Sequence, residues 1–287
     1  MSRLQPIVFP LIATVSWGTN AVAGRILVGG GYIDGVSLTF VRFALATPLI
    51  LLAASALGEK VRGEPRDVAI AAILGLLGVS GFNVFFYTAL GYMEAALVSL
   101  ITSLITPMTY IAGVILGMDK LDTRGVAGVL LAVGGTYLVL NPGSSSINLI
   151  GALLAFGAAL SWTVYTLAVK GVASRMGPTA ALFWSSLLGT LVVAPLSLEG
   201  LEHARITYLS IALIVYVAIV PGAVGYAAWN LGVKLSGPVL PSIFIPLVPL
   251  TATILAWILL GEVLTPIQVL GGLLIVIGII LVVTRRV

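Results

Sequence analysis

The polar and aromatic side chains that could contact a ligand recur about half a chain apart. A shift of 145 residues places Trp17 on Trp162, each preceded by a serine, and Asn20 on Tyr165. Tryptophan offers a large apolar ring and one N–H donor, and amide and phenol groups add further hydrogen-bonding capacity. This chemistry suits reversible binding of a small, partly apolar molecule. Helix packing is the competing interpretation of the two tryptophans.

Further candidate contacts lie on other apolar segments. Asn83 and Asn230 are neutral amides within such segments, where an amide without a partner is costly. Each therefore forms either an interhelical hydrogen bond or a contact to a substrate. A shift of 139 residues places Tyr87 on Tyr226. The full set of candidate substrate contacts is Trp17, Asn20, Asn83, Phe86, Tyr87, Ser103, Trp162, Tyr165, Tyr226, Trp229, Asn230 and Ser242.

Prolines lie at matching places in the apolar segments of the two halves. Proline removes a backbone donor and clashes with the carbonyl four residues earlier, so each helix should kink. The carbonyls near Ser103 and Ser242 then need partners, which water or substrate in a cavity could supply. The alternative is a kink that only shapes packing, with the serine hydroxyls bonded back to the helix. The expected kinks are at Pro107, Pro221, Pro246 and Pro249.

Arg42 is the only cation well inside an apolar segment, roughly 10 Å from its start by helical rise. It could bind a substrate carboxylate, or its long side chain could reach the outer headgroups. No carboxylate falls at the centre of a segment, since Glu94 and Glu262 lie at segment ends. The sequence therefore favours facilitated flux, or coupling by another route in which Glu94 or Glu262 titrates in an outer vestibule.

The composition excludes most soluble functions. Of the 287 residues, 60% are hydrophobic and 8% are charged, whereas soluble domains are about 45–50% apolar and about 25% charged. The net charge of +4 comes from basic residues scattered between apolar runs, which argues against a nucleic-acid partner. With no cysteine and a single histidine, we expect no metal site, no catalytic residues and no cofactor.

Helices that cross a membrane must position these residues, since a span needs ~20 apolar residues. With the N-terminus in the cytoplasm, the cytoplasmic segments hold 11 Lys and Arg and the outer segments hold two, as the positive-inside rule requires. The sequence predicts an all-α, multi-pass protein of the cytoplasmic (inner) membrane with both chain ends in the cytoplasm. The ten predicted spans are Ile7–Val28, Gly35–Ala56, Ala69–Gly91, Ala95–Met118, Gly125–Leu140, Leu149–Gly171, Thr179–Leu198, Tyr208–Val233, Gly237–Leu260 and Pro266–Thr284.

Matching residues recur in the same order along both halves of the chain, which indicates a duplication. The halves are residues 1–143 and 147–287, joined by a stretch rich in Gly and Ser. Each half has five predicted spans, an odd number, so the second half enters the membrane from the opposite side. Such inverted repeats are typical of secondary transporters, because two similar halves of opposite orientation give inward-open and outward-open states of similar energy.

Several short motifs resemble those of the EamA-type drug/metabolite transporter superfamily. They are Ser16-Trp17-Gly18, Arg42-Phe43, Gly261-Glu262 with Gly272 and Gly278, and Gly117 with Gly128 and Gly134. The resemblance covers essentially the full chain and implies a ten-helix basket with a central cavity and export of small metabolites. Within the superfamily, the chain is most similar to the aromatic amino acid exporter branch. Met118-Asp119 stands where the family more often has Gly-Glu, so a role for that acid is in doubt.

The predicted function is secondary transport of small metabolites, above all amino acids including aromatic ones, by alternating access around a central cavity. A nucleotide-sugar or drug antiporter of the same architecture is the alternative. A channel would need a polar pore or selectivity ring, and an intramembrane enzyme would need a nucleophile–base pair. The expected partners are a small-molecule substrate and the lipid bilayer, with the protein a monomer or weak homo-oligomer.

Overall fold

The structure is a computed structural model that describes residues 4–56, 58–90, 92, 95–140, 148–260 and 265–284. Within those residues, ten apolar helices are long enough to cross a membrane. This confirms the predicted all-helical, ten-span fold. The helices are named here by their membrane-spanning parts, which are α1 (Gln5–Gly29), α2 (Gly35–Ala56), α3 (Pro65–Ala89), α4 (Leu97–Ile115), α5 (Thr123–Leu140), α6 (Leu149–Met176), α7 (Pro178–Glu202), α8 (Tyr208–Ser236), α9 (Val239–Leu259) and α10 (Pro266–Thr284).

Three helices extend furthest beyond their predicted spans. Helix α3 begins at Pro65, α6 continues to Met176, and α7 continues to Glu202. The added turns carry charged and polar residues, which a search for apolar residues leaves out. A helix can continue through the headgroup region, which extends beyond the hydrocarbon core on both sides.

Two helices contain a π-helical turn at corresponding places in the two halves. Their successive segments are Pro65–Gly75, Leu76–Gly81 (π) and Phe82–Leu90 in α3, and Tyr208–Val217, Ala218–Val224 (π) and Gly225–Ser236 in α8. Pro221 lies within the second π-turn. Such turns disturb the regular backbone hydrogen bonding and are frequent at functional sites. A further π-turn, Arg25–Gly29, ends α1.

Helices α4 and α9 are each interrupted close to a proline. Their segments are Ala95–Thr102, Ile105–Ile115, Val239–Ser242 and Leu247–Leu260. Pro107 and Pro246 cannot donate to the carbonyls of Ser103 and Ser242. Each carbonyl instead accepts at 3.1 Å from the backbone N–H three residues further on. The hydroxyl of Thr106 also donates to the Ser242 carbonyl at 2.9 Å, which joins the two interruptions.

The pairs of packed helices are related by exchange of the two halves. Helix α1 packs on α8 and α9, and α6 packs correspondingly on α3 and α4; α2 packs on α7, and α5 packs on α10. At the α5–α10 contact, Gly128 lies against the backbone of Gly278, and Gly135 against that of Gly271. Small residues of this kind let two membrane helices approach closely.

Large apolar side chains cover the outside of the bundle. Leu52, Leu130 and Ile277 are among the exposed ones, and so large an apolar surface is unfavourable in water. A hydrocarbon environment accommodates it. The polar and aromatic candidates of the sequence analysis are concentrated instead in the interior of the bundle.

Candidate functional site

Side chains from α1, α2, α3, α6 and α8 meet at the centre of the bundle. Trp17 and Trp162 contact each other with ring centroids 5.1 Å apart and planes at 87°. Trp229 and Tyr226 each contact both tryptophans, with centroid distances between 5.2 and 5.8 Å. Edge-to-face and tilted arrangements of this kind are favourable for aromatic rings. We define the aromatic cluster as Trp17, Phe43, Phe82, Trp162, Tyr165, Tyr226 and Trp229.

The two π-turns accept hydrogen bonds from side chains of the opposite half. Trp17 Nε1 and Arg42 Nη2 both donate to the carbonyl of Pro221, at 3.1 and 3.0 Å. Reciprocally, the Tyr226 hydroxyl donates to the carbonyl of Gly78 in α3 at 3.2 Å. The irregular backbone thus accepts hydrogen bonds that join the halves where the aromatic cluster lies.

Several polar atoms in and around the cluster are buried and have no hydrogen-bond partner. They are Asn20 Oδ1, Arg42 Nε, Trp162 Nε1, Trp229 Nε1 and Asn230 Nδ2. Buried polar groups in proteins are nearly always hydrogen-bonded. A concentration of unpartnered donors and acceptors beside aromatic faces can therefore take up the polar groups of a ligand, and this arrangement can bind and release a molecule without covalent chemistry.

The structure brings some of the predicted residues into the cluster and leaves others at its edge. The Tyr165 hydroxyl donates to Asn230 Oδ1 at 2.8 Å, and the Tyr165 ring lies 5.2 Å from that of Trp162. Phe86 lies 5.7 Å from Phe82, and Tyr87 lies 5.5 Å from Phe86. Both of these edge residues are half-buried, so they border the cluster and do not form its centre.

Three predicted contacts make local hydrogen bonds. Asn83 Nδ2 donates to the carbonyl four residues earlier at 2.7 Å. The hydroxyls of Ser103 and Ser242 donate to carbonyls three residues earlier, at 2.6 and 2.8 Å. All three side chains are buried. This geometry fits the packing interpretation of the two serines and of the prolines beside them. The bond that Asn83 makes within its own helix is neither of the two alternatives predicted for it. Pro249 lies inside the continuous second segment of α9.

The interpretation that Arg42 reaches the outer headgroups is wrong. Its side chain is only 3% exposed, and its guanidinium carbon lies 5.0 Å from the ring centroid of Phe43 and 5.7 Å from that of Tyr226. The rings and the Pro221 carbonyl hold the cation inside the bundle, since a guanidinium over an aromatic face is favourable. Arg42 therefore borders the aromatic cluster.

Phe82 is the counterpart of Tyr226 in the structure, whereas the sequence comparison paired Tyr226 with Tyr87. Phe82 contacts Trp162 at 5.1 Å, and Tyr226 contacts Trp17 at 5.6 Å. Each ring follows a glycine that packs against the serine preceding the contacted tryptophan. The glycine before each aromatic residue was the available signal. The match between Tyr87 and Tyr226 concealed it, because these two residues are identical in type but do not occupy corresponding places in the structure.

Two further features of the sequence concern metal ions and the acids at the ends of the segments. Among the residues that the structure describes, no group of three His, Asp or Glu side chains is arranged to hold a metal ion. The acids at segment ends, Glu94 and Glu262, lie outside the described residues, as do Gly261 and residues 141–147 of the linker. The candidate site therefore consists of indole, phenol, amide and guanidinium groups.

The fold and the contacts at its centre define a multi-pass membrane protein in which both halves of the chain contribute to the aromatic cluster. The chain belongs to the EamA-like transporter family, whose model matches residues 4–141 and 149–284. This confirms the family resemblance and the prediction of a transporter rather than an enzyme. The protein is thus a polytopic transporter of small molecules.

Curated relatives resemble the chain along nearly its whole length. A "Probable terminal-alkyne amino-acid exporter" of Streptantibioticus cattleyicolor is 27% identical and covers 98% of this chain and 94% of the relative. A "Probable amino-acid metabolite efflux pump" of Salmonella typhimurium is 29% identical, covering 93% and 91%. A solved crystal structure superposes with a TM-score of 0.87 and 20% identity over 99% of this chain and 100% of the other, so it shares the fold.

Proposed function

We propose that the protein exports amino acids, aromatic ones among them, across the cytoplasmic membrane. The observation that carries the proposal is the contact between Trp17 and Trp162, one from each half, at the centre of the aromatic cluster. An aromatic side chain packs favourably against such rings. Relatives named amino-acid exporters or efflux pumps support the same substrate class. The cluster is complete within one chain, so transport needs no second copy.

We propose that transport follows alternating access between two inverted halves, residues 1–143 and 147–287. Helices α6 and α8 pack together, and Tyr165 hydrogen-bonds Asn230 between them. The equivalent helices α1 and α3 do not pack closely in the described residues, and Asn20, the counterpart of Tyr165, has a buried oxygen without a partner. If α1 and α3 came together while α6 and α8 separated, the side of the membrane near α1 and α3 would close and the opposite side would open.

With both chain ends in the cytoplasm, as the distribution of Lys and Arg favours, the α6–α8 contact lies toward the cytoplasm. The looser α1–α3 region then lies toward the outside, so this conformation is outward-facing. An ion pair between Asp67 of α3 and Arg175 of α6, 2.6 Å long, joins the two halves at the cytoplasmic end. The same end is therefore closed by two separate polar contacts.

Counterflow in proteoliposomes tests the proposed function. Vesicles loaded with unlabelled tryptophan should accumulate labelled tryptophan, and phenylalanine should compete where a nucleotide sugar or a cationic drug does not. Accumulation driven only by a nucleotide sugar or a drug would overturn the amino-acid assignment in favour of the antiporter alternative. Flux far above carrier turnover rates would instead favour a channel.

Alanine variants test whether the aromatic cluster is the site of transport. Replacement of Trp17, Trp162 or Tyr226 should lower tryptophan counterflow at least about tenfold, because each ring offers contact area to the substrate. Trp257 on α9 is 50% exposed on the outside of the bundle, so Trp257→Ala is the matched control and should stay near the wild-type rate. Equal losses at all four positions would remove the cluster as the site.

A further inference from the structure

Arg42 carries a charge beside the aromatic cluster that no described residue neutralises. Its side chain is buried, and among the described residues its only hydrogen bond runs from Nη2 to the Pro221 carbonyl. The Nε donor is buried without a partner. No described carboxylate pairs with Arg42, in contrast to the exposed Arg175, which pairs with Asp67. A buried guanidinium is costly unless an anion accompanies it.

The surroundings of Arg42 fix its orientation and leave its buried Nε donor without a hydrogen-bond partner. The rings of Phe43 and Tyr226 lie against the guanidinium and restrict its movement. The residue that faces Nε is Gly222, where a side-chain carbon would stand 3.5 Å from the nitrogen. Glycine places no side chain there. A carboxylate can accept two parallel hydrogen bonds from adjacent N–H groups of one guanidinium.

We propose that Arg42 binds the carboxylate of the transported amino acid while the aromatic cluster holds its side chain. This inference rests on the proposed function and names the group that selects for a carboxylate. Tyr226 connects the two parts, because its ring contacts Arg42, Trp17 and Trp162. Asn20 lies one helical turn beyond Trp17, and its unpartnered oxygen is an acceptor for the ammonium group. The two charged groups of an amino acid therefore each have a partner, the carboxylate at Arg42 and the ammonium group at Asn20.

Tryptophan and tryptophanamide provide the test, because the amide retains the indole and the amino group but lacks the carboxylate. In proteoliposome counterflow, the wild-type protein should transport tryptophan at least about tenfold more efficiently, as expected for a charge-assisted hydrogen bond. Arg42→Gln should bring the ratio of the two rates close to one. Arg42→Lys keeps the charge but loses the planar fork, so its ratio should fall between the two.

Trp17→Phe is the matched control. It removes the other hydrogen bond to the Pro221 carbonyl without changing any charge, so it should lower both rates and leave their ratio unaltered. An Arg42→Gln protein that loses both activities equally would overturn the carboxylate assignment and leave the proposed function standing. Wild-type vesicles that transport neither compound would overturn the proposed function, and this inference with it.

Size-exclusion chromatography of each purified variant establishes that it is folded. If Arg42→Gln is not recovered as a folded protein, Arg42→Lys carries the test alone. A ratio lowered several-fold in Arg42→Lys supports the assignment. A ratio equal to that of the wild-type protein overturns it.

Discussion

The two central tryptophans lie 145 residues apart and each follows a serine, yet their indole nitrogens have different surroundings. Trp17 Nε1 donates to the Pro221 carbonyl, whereas Trp162 Nε1 is buried without a partner. A hydrogen bond contributes about 0.5–1.5 kcal/mol, so Trp17→Phe should lower the melting temperature by about 2–4 °C. Trp162→Phe also loses ring contacts but no hydrogen bond, so it should lower the melting temperature by less than Trp17→Phe does. Size-exclusion chromatography after heating measures both, and the reverse order would contradict the assigned bonds.

The sequence predicts the centre of the candidate site better than its edges. Trp17 and Trp162 could be found because a large, rare side chain recurs after a serine in both halves. The burial of Arg42 could not, because it depends on the carbonyl of Pro221, 179 residues away. Local hydropathy does not encode such a contact. Ser103 and Ser242 were equally visible in the sequence, but their hydroxyls bond within their own helices.

The contact between α5 and α10 depends on which of two adjacent glycines faces the neighbouring helix. A side-chain carbon at Gly135 would stand 2.5 Å from the carbonyl oxygen of Gly271, whereas one at Gly134 would have nothing within 4 Å. Gly135→Val should therefore separate the helices. Overpacking of this kind costs about 1–3 kcal/mol of stability, so the melting temperature should fall by several degrees. Gly134→Val is the control and should melt like the wild-type protein. Equal melting of both variants would contradict the close approach.

Helix by helix, the spans were predictable from hydropathy, and their irregularities were predictable only where proline causes them. Each described span has a mean hydropathy between 1.4 and 2.7 over an 18-residue window. The interruption of α4 comes just before Pro107 and that of α9 includes Pro246, and the missing N–H groups of the two prolines mark these places in the sequence. The π-turn at Leu76–Gly81 has no proline. Since one residue more in a turn barely alters the pattern of apolar residues, the sequence did not predict it.

At the scale of the whole molecule, the direction in which the helices cross the membrane can be tested with single cysteines, because the chain has none of its own. His203, between α7 and α8, and Glu64, before α3, are both exposed. With both chain ends in the cytoplasm, a membrane-impermeant maleimide should label His203→Cys in intact cells. Glu64→Cys should be labelled only after the membrane is permeabilised. The opposite labelling would reverse the proposed orientation and the direction of the open side.

The alternating-access proposal requires the cytoplasmic ends of α3 and α6 to separate during each cycle. A side-chain carbon at Gly63 would lie 3.5 Å from Cβ of Met176, a spacing within the range of disulfides. The Gly63→Cys/Met176→Cys protein should form this bond on oxidation and stop tryptophan counterflow, and reduction should restore it. Each single-cysteine protein is a control and should transport under both conditions. Full transport by the oxidised, cross-linked protein would mean that the two halves do not part at this end, and alternating access as proposed would fail.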